Sequence, residues 1–229
     1  MKYSDLPKWS LRAAEWAAEY HEGLRECSVR AQTYPGATLE ELPEEPPEQP
    51  VDMDAIFEDF EDIVPLGMTH WQHPRFFAYF PANAAPASMI AEQLANAMSA
   101  QCMLWQTSPV ATEMEQRMVD WMRQSLGLRA GFKGVIQDGA SSATLCAILT
   151  MRERALDWAG NRTGLSKAPC LRVYASAETH SSVDKAIRIA GLGEDNLVKV
   201  PTRDDRGMDP DALAAIIASD RAAGLVPAG

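Results

Sequence analysis

The chain has 229 residues, 46% of them apolar, and a formal net charge of -11. That length and apolar content can bury a sizeable core, which excludes a disordered tail and suits one large domain, or one domain with an appended segment. The acidic balance opposes nucleic acid backbones and anionic lipid surfaces, which need clustered Lys and Arg, so the expected partner is a small molecule.

From about Lys8 to Gln32, Leu11, Ala14, Ala18, Leu24 and Val29 recur at roughly helical spacing and predict one or two amphipathic helices. Tyr34-Pro35-Gly36 breaks the pattern. The acidic, proline-rich run from Leu42 to Pro50 then reads as a connector that cannot continue a helix. A further helix is predicted from about Asp52, as its cap, to Ile63, with Met53, Ile56, Phe57, Phe60 and Ile63 on one face. Between Thr69 and Pro81 five aromatics and two histidines crowd into a chain that is only 7% aromatic, which suggests a core plug or a pocket wall. His70 and His73 stand three apart beside Pro74 without a third ligand at helical spacing; they read as structural histidines and no metal is expected.

Ser88 to Ala100 is helical in pattern, and Ser108-Pro109 marks another helix start, Ser as cap and Pro where its missing N–H costs nothing. Met114, Met118, Val119, Met122 and Leu126 form a stripe of the kind that makes core or subunit contact. Gly134 to Gln137 is a β-branched run that predicts a strand, followed by the small-residue turn Asp138 to Ala143 and about sixteen helix formers ending near Trp158. Such a turn is either an ordinary Ser-capped helix start after a buried strand or an anion cradle, because the first N–H groups of a helix have no partner in the helix. Asn161 to Gly164 reads as a polar loop. Leu171 to Ala175 is predicted as a strand, Thr179 to Ile189 as a helix, Leu197 to Val200 as a strand, Asp209-Pro210 as the cap of a helix ending near Ala223, and Gly224 to Pro227 as the opening of another strand. Strands alternating with such helices indicate an α/β domain with a mainly parallel sheet flanked by helices, whose ligand sits at the carboxyl ends of the strands. The turn at Ser141 and the turn at His180 both lie after predicted strands, so they share one candidate crevice. The glycines of GxGxxG and of the Walker loop are missing, which points away from nucleotides and toward a small phosphate monoester.

Cys27, Cys102, Cys146 and Cys170 are scattered without a CxxC pair and read as thiols of a reducing compartment. With neither an apolar signal core nor a run approaching ~18 apolar residues, the expectation is a cytoplasmic protein with no membrane span.

Five separated motifs then carry a resemblance: Thr69-His70-Trp71 with His73-Pro74 and Phe77 to Pro81; Trp105 with Ser108-Pro109, Thr112-Glu113, Glu115 and Asp120-Trp121; Gln137 to Leu145; Tyr174-Ala175-Ser176; and His180 to Val183 with Lys185-Ala186. In this order and spacing the chain resembles the N-terminal half of the group II pyridoxal-phosphate-dependent amino acid decarboxylases, the aromatic L-amino acid decarboxylases above all. The resemblance implies a fold type I large domain preceded by an N-terminal helical segment. Residues 1–65 would be the helical dimerisation segment, and 66–229 the N-terminal part of the domain that binds pyridoxal phosphate. It implies that Ala140 and Ser141 hold the cofactor phosphate and that His180 stacks on the cofactor ring as the catalytic residue. Trp71, Tyr79, Phe80 and Pro81 would line the substrate pocket, and Met103 would reach toward the neighbouring subunit's site. The reaction implied is decarboxylation of an aromatic L-amino acid (tryptophan, tyrosine, phenylalanine or a hydroxylated derivative) to the amine and carbon dioxide in a homodimer. The aldehyde synthases of the same family and an inactive dimerisation fragment are the alternatives. In the family the Schiff-base lysine and the aspartate that pairs with the pyridine nitrogen follow a segment like Gly224 to Pro227. The resemblance therefore implies a C-terminal half that supplies both, and residues 1–229 alone are expected not to decarboxylate. The phosphate turn departs from the family's Thr-Ala-Ser-Glu-Ala: here it is Gly139-Ala140-Ser141-Ser142-Ala143, without the Thr hydroxyl and the Glu carboxylate but with the same backbone donors.

Overall fold

Residues 1–100 form one unit and residues 101–229 a second in the computed structural model, which describes residues 1–80 and 84–229. In the first unit the helices are α1 (Leu6–Gly23), the short α2 (Ala37–Glu41), α3 (Met53–Gly67) and α4 (Pro86–Met98). Pro7 sits in the first turn of α1, where a missing N–H is harmless, and Pro65 falls in the last turn of α3, just before that helix ends. Gly36 takes φ 103° ahead of α2, a left-handed conformation that favours glycine, and so makes the break expected at Tyr34 to Gly36.

The aromatic residues of α1 and α3 pack on one another. Trp9 stacks on Phe57 at 5.5 Å between centroids, and Trp16 meets Phe60 edge-on at 4.8 Å. Arg12 lies 4.6 Å over the Phe57 ring while its guanidinium donates to Asp54 at 3.1 Å and Glu61 at 3.4 Å. Each ring pair contributes about 0.5–1.5 kcal/mol beyond area burial, so these contacts hold two otherwise marginal helices together. Asp52 occupies the cap position of α3, but its side chain makes no capping bond.

The second unit begins with α5 (Pro109–Ser125) and continues through α6 (Ala140–Ala155), α7 (Gly160–Thr163), β1 (Leu171–Ser176), α8 (Ser182–Ile189), β2 (Leu197–Val200), α9 (Pro210–Ala222) and β3 (Val226–Pro227). The strands form a parallel sheet of order β2-β1-β3, with Val173 opposite Leu197 and Leu171 opposite Val226. Asp209 caps α9 as its sequence predicts, accepting from the N–H groups of Asp211 and Ala212. The core lies where α6 and α8 cover β1: Ile148, Val173, Ala175, Ala186, Ile187, Ala190 and Leu197 are buried together. Burying side chains of this size contributes about 1.5–3 kcal/mol for each large aliphatic, which outweighs the weak intrinsic preference of an eight-residue helix such as α8.

Four expectations change. Gly134 to Gln137 joins no strand ladder. The Ile136 N–H donates instead to Glu115 Oε1 at 2.7 Å, and Gly134 lies so close to α5 that a Cβ there would come within 2.9 Å of Val119 Cγ1. A β-branched run becomes a strand only when a neighbour accepts its hydrogen bonds, and here a helix side chain does so. Asn161 to Gly164, read as a loop, is largely the short helix α7. The helix expected from Thr179 starts at Ser182, because the turn before it is held by the His180 ring. Finally, Met114, Met118, Met122 and Leu126 of the α5 stripe are exposed and not packed in the core of this chain.

Candidate cofactor site

Gly139 has extended backbone angles at the cap of α6, and no side chain caps the helix. The first intrahelical bond there runs from the Ala143 N–H to the Gly139 carbonyl, so the N–H groups of Ala140, Ser141 and Ser142 are left to face outward. Ala140 and Ser141 are exposed, and a Cβ placed on Gly139 would meet nothing within 4 Å. The Ser-capped reading is thereby removed, since the hydroxyls leave the helix end open. An uncapped N-terminus with a hydroxyl beside it carries partial positive charge and directed donors, which is what a phosphate requires.

His180 follows β1 and precedes α8. Its Nδ1 accepts the backbone N–H of Ser182 at 3.1 Å, so in the neutral ring the proton resides on Nε2. The imidazole is therefore fixed at one nitrogen and exposed at the other. The two turns are joined through Thr144 of α6 and Ser182 of α8, whose hydroxyl oxygens lie 3.5 Å apart. Nearby, Lys199 donates to Asp184 at 2.9 Å, and that bond holds the Asp184 carboxyl below its usual range.

In the other unit Trp71 is the centre of an aromatic stack, 5.0 Å from Phe76 and 5.5 Å from Tyr79. Tyr79 takes φ 55°, uncommon for a residue with a Cβ, and such strain tends to gather at functional sites. Trp71, Tyr79 and Phe80 are exposed in this chain. Pro81 lies outside the described residues. The histidines beside the stack are buried: His70 Nδ1 lies 2.8 Å from the Tyr20 hydroxyl, and His73 Nδ1 accepts the Arg75 N–H at 2.9 Å. Met103 is exposed on the segment ahead of α5. Thus Ala140, Ser141 and His180 come together in one unit, and Trp71 and Tyr79 in the other.

Two polar networks brace the unit that carries the turns. Buried Glu153 pairs with Arg152 at 2.8 Å and accepts the Asn161 N–H at 3.0 Å, while Arg152 donates to the Ala190 carbonyl at 2.8 Å, tying α6 to the end of α8. Gly160 packs so tightly here that a Cβ would come within 2.5 Å of Glu153 Oε1. On the opposite side the Tyr174 hydroxyl donates to Asp220 at 2.7 Å, linking β1 to α9. Burial, then that bond to a carboxylate, push the Tyr174 phenol up to about 12. Neither network, nor the Thr144–Ser182 contact, is apparent from sequence spacing, because each joins residues distant in the chain. The one local clue is Thr144, four residues after Ala140 on the same face of α6.

Residues 35–229 match the family model described as the pyridoxal-dependent decarboxylase conserved domain. The chain belongs to this family. Among its relatives in the pyridoxal-dependent decarboxylase family, tryptophan decarboxylase 2 of Oryza sativa subsp. japonica is 37% identical over 99% of this chain and 46% of its own length. The crystal structure of Oryza sativa TDC with PLP and tryptamine superposes with a TM-score of 0.90 at 33% identity, covering all of this chain and 48% of that one. The 4-hydroxyphenylacetaldehyde synthase of Rhodiola rosea gives 0.88 at 32% identity over 99% of this chain and 50% of that one. The chain thus spans about half the length of the relatives it matches, the N-terminal half that the motifs imply. Pyridoxal phosphate is the cofactor of the family, and the open start of α6 with its outward N–H groups fits the phosphate of that group. Among the described residues no group of three His, Cys, Asp or Glu could hold a metal ion, and no helix is long and apolar enough to cross a membrane.

Proposed function

We propose that the protein carrying this chain removes carbon dioxide from an aromatic L-amino acid to give the amine, with pyridoxal phosphate as cofactor. One observation carries the reading: the uncapped start of α6 at Ala140-Ser141 stands on the same unit as the His180 ring, which is held at Nδ1 and left free to stack. When bound, the cofactor supplies an electron sink for the pair left behind by the departing carboxylate. The Ala140 and Ser141 N–H groups and the Ser141 hydroxyl anchor the phosphate. His180 covers one ring face and offers its Nε2 proton toward the substrate. Trp71, Tyr79 and Phe80, with Pro81, supply the flat apolar walls that suit an aromatic side chain, and Met103 approaches the site of a second subunit. On this reading residues 1–65 serve dimerisation, residues 66–229 are the first part of the cofactor-binding domain, and the protein works in the cytoplasm as a homodimer.

The similarity to an aldehyde synthase supports a second reading, in which oxidative deamination accompanies decarboxylation: dioxygen takes two electrons to become hydrogen peroxide, and the aldehyde, carbon dioxide and ammonia are released. Both are tested by incubating the full-length protein and pyridoxal phosphate in air with tryptophan, tyrosine, phenylalanine and their ring-hydroxylated derivatives. Amine in equal amount to carbon dioxide supports decarboxylation; aldehyde and ammonia in its place support the synthase. Carbon dioxide release from none of these removes both.

A further inference from the structure

Ser182 is buried, 7% exposed, at the first position of α8, and a hydroxyl in such a place needs a partner. Thr144 Oγ1 donates its single hydrogen to the Ala140 carbonyl at 2.9 Å. In the 3.5 Å contact between the two hydroxyls, Ser182 is therefore the donor and Thr144 the acceptor. The backbone N–H of the same Ser182 donates to His180 Nδ1. A single run of polar contacts thus leads from the His180 imidazole, through both the backbone and the side chain of Ser182, to Thr144 and on to the carbonyl of Ala140.

We propose that Thr144 and Ser182 are positioning residues that hold the His180 turn in register with the phosphate turn. This rests on the reading of Ala140 and Ser141 as the phosphate anchor. Neither hydroxyl touches the cofactor. Their work is to fix the separation between the donors at the start of α6 and the ring after β1, so that a ligand held by its phosphate meets the imidazole face at one height. Removing either hydroxyl breaks the polar contact between the two turns and lets the two helix starts move independently. The loss concerns a ligand anchored at both ends, and spares one that lacks the phosphate.

The test uses the full-length protein and equilibrium binding of pyridoxal phosphate and of pyridoxal, followed by absorbance. Thr144→Val, close in shape to Thr, and Ser182→Ala should each weaken pyridoxal phosphate binding roughly three- to tenfold, the range of one net hydrogen bond. Binding of pyridoxal should be unchanged. The double variant should be no weaker than Thr144→Val alone, because that substitution already removes the contact that Ser182→Ala removes, and Thr144→Ser should restore the wild-type affinity. Wild-type affinity in both single variants overturns the proposal, and so does an equal loss for both ligands accompanied by a lower melting temperature, which is the mark of a merely structural pair. If the wild-type protein binds pyridoxal as tightly as pyridoxal phosphate, the phosphate anchor itself is wrong and the proposal falls with it. In the first two of these outcomes the anchor stands.

Discussion

Two side chains show how much of the chemistry is set locally. His180 accepts a backbone N–H two residues ahead and so keeps one ring orientation without help from a carboxylate. His180→Ala in the full-length protein should lower kcat on the order of a hundredfold, the usual cost of misplacing a reacting group. The dissociation constant of pyridoxal phosphate should change by no more than about tenfold, the worth of one ring contact. Undiminished turnover would remove His180 from the site. Tyr174 tests the packing of the same unit. Its phenol is raised to about 12 in the folded chain from an ordinary value of 10.0, so the folded state keeps its proton longer than the unfolded state. The stability it contributes is fully present below pH about 10 and falls as pH rises toward about 12. Tyr174→Phe should flatten the loss of stability between those pH values, as measured by urea unfolding; an unchanged slope would show that folding does not raise the phenol.

At the scale of elements, the readable ones are those whose signals are local. Asp209-Pro210 announces α9 because a carboxylate cap and a first-turn proline need no distant partner, and the structure has both capping bonds. Asp209→Ala should cost about 1 kcal/mol of unfolding free energy with an unchanged denaturant slope. A loss within error of zero would mean the cap is decorative. Gly134 to Gln137 misled for the complementary reason. Its composition is that of a strand, but strand status depends on a neighbour, and Glu115 and α5 occupy that role here. Asp52 and Ser108 were legible as helix boundaries, and both do precede helices, yet neither side chain makes the bond that the spacing suggests. The candidate site divides in the same way. Ala140, Ser141 and His180 could be picked out along the chain, whereas Thr144 with Ser182, and Glu153 with Asn161, are pairings that only the packed helices create.

At the scale of the whole chain, many large apolar side chains are exposed. An apolar groove of about 740 Å³ runs between α1 and α4, lined by Leu6, Trp9, Ala13, Met89 and Ile90. On the other unit the α5 stripe is open. The proposed homodimer is tested by light scattering of the full-length protein at micromolar concentration, which should give the mass of two chains; a stable monomer would contradict it. The central claim is that the start of α6 holds the cofactor phosphate, and Ser141→Asp tests it most directly. A carboxylate in the first turn of a helix is favourable for the helix, by about 0.3–1 kcal/mol, but it places a negative charge where the phosphate must sit. The full-length variant should melt at the wild-type temperature or slightly above it and bind pyridoxal phosphate roughly ten- to a hundredfold more weakly, the worth of a charge-assisted hydrogen bond. A variant that melts like the wild type and still binds pyridoxal phosphate with wild-type affinity would contradict the account.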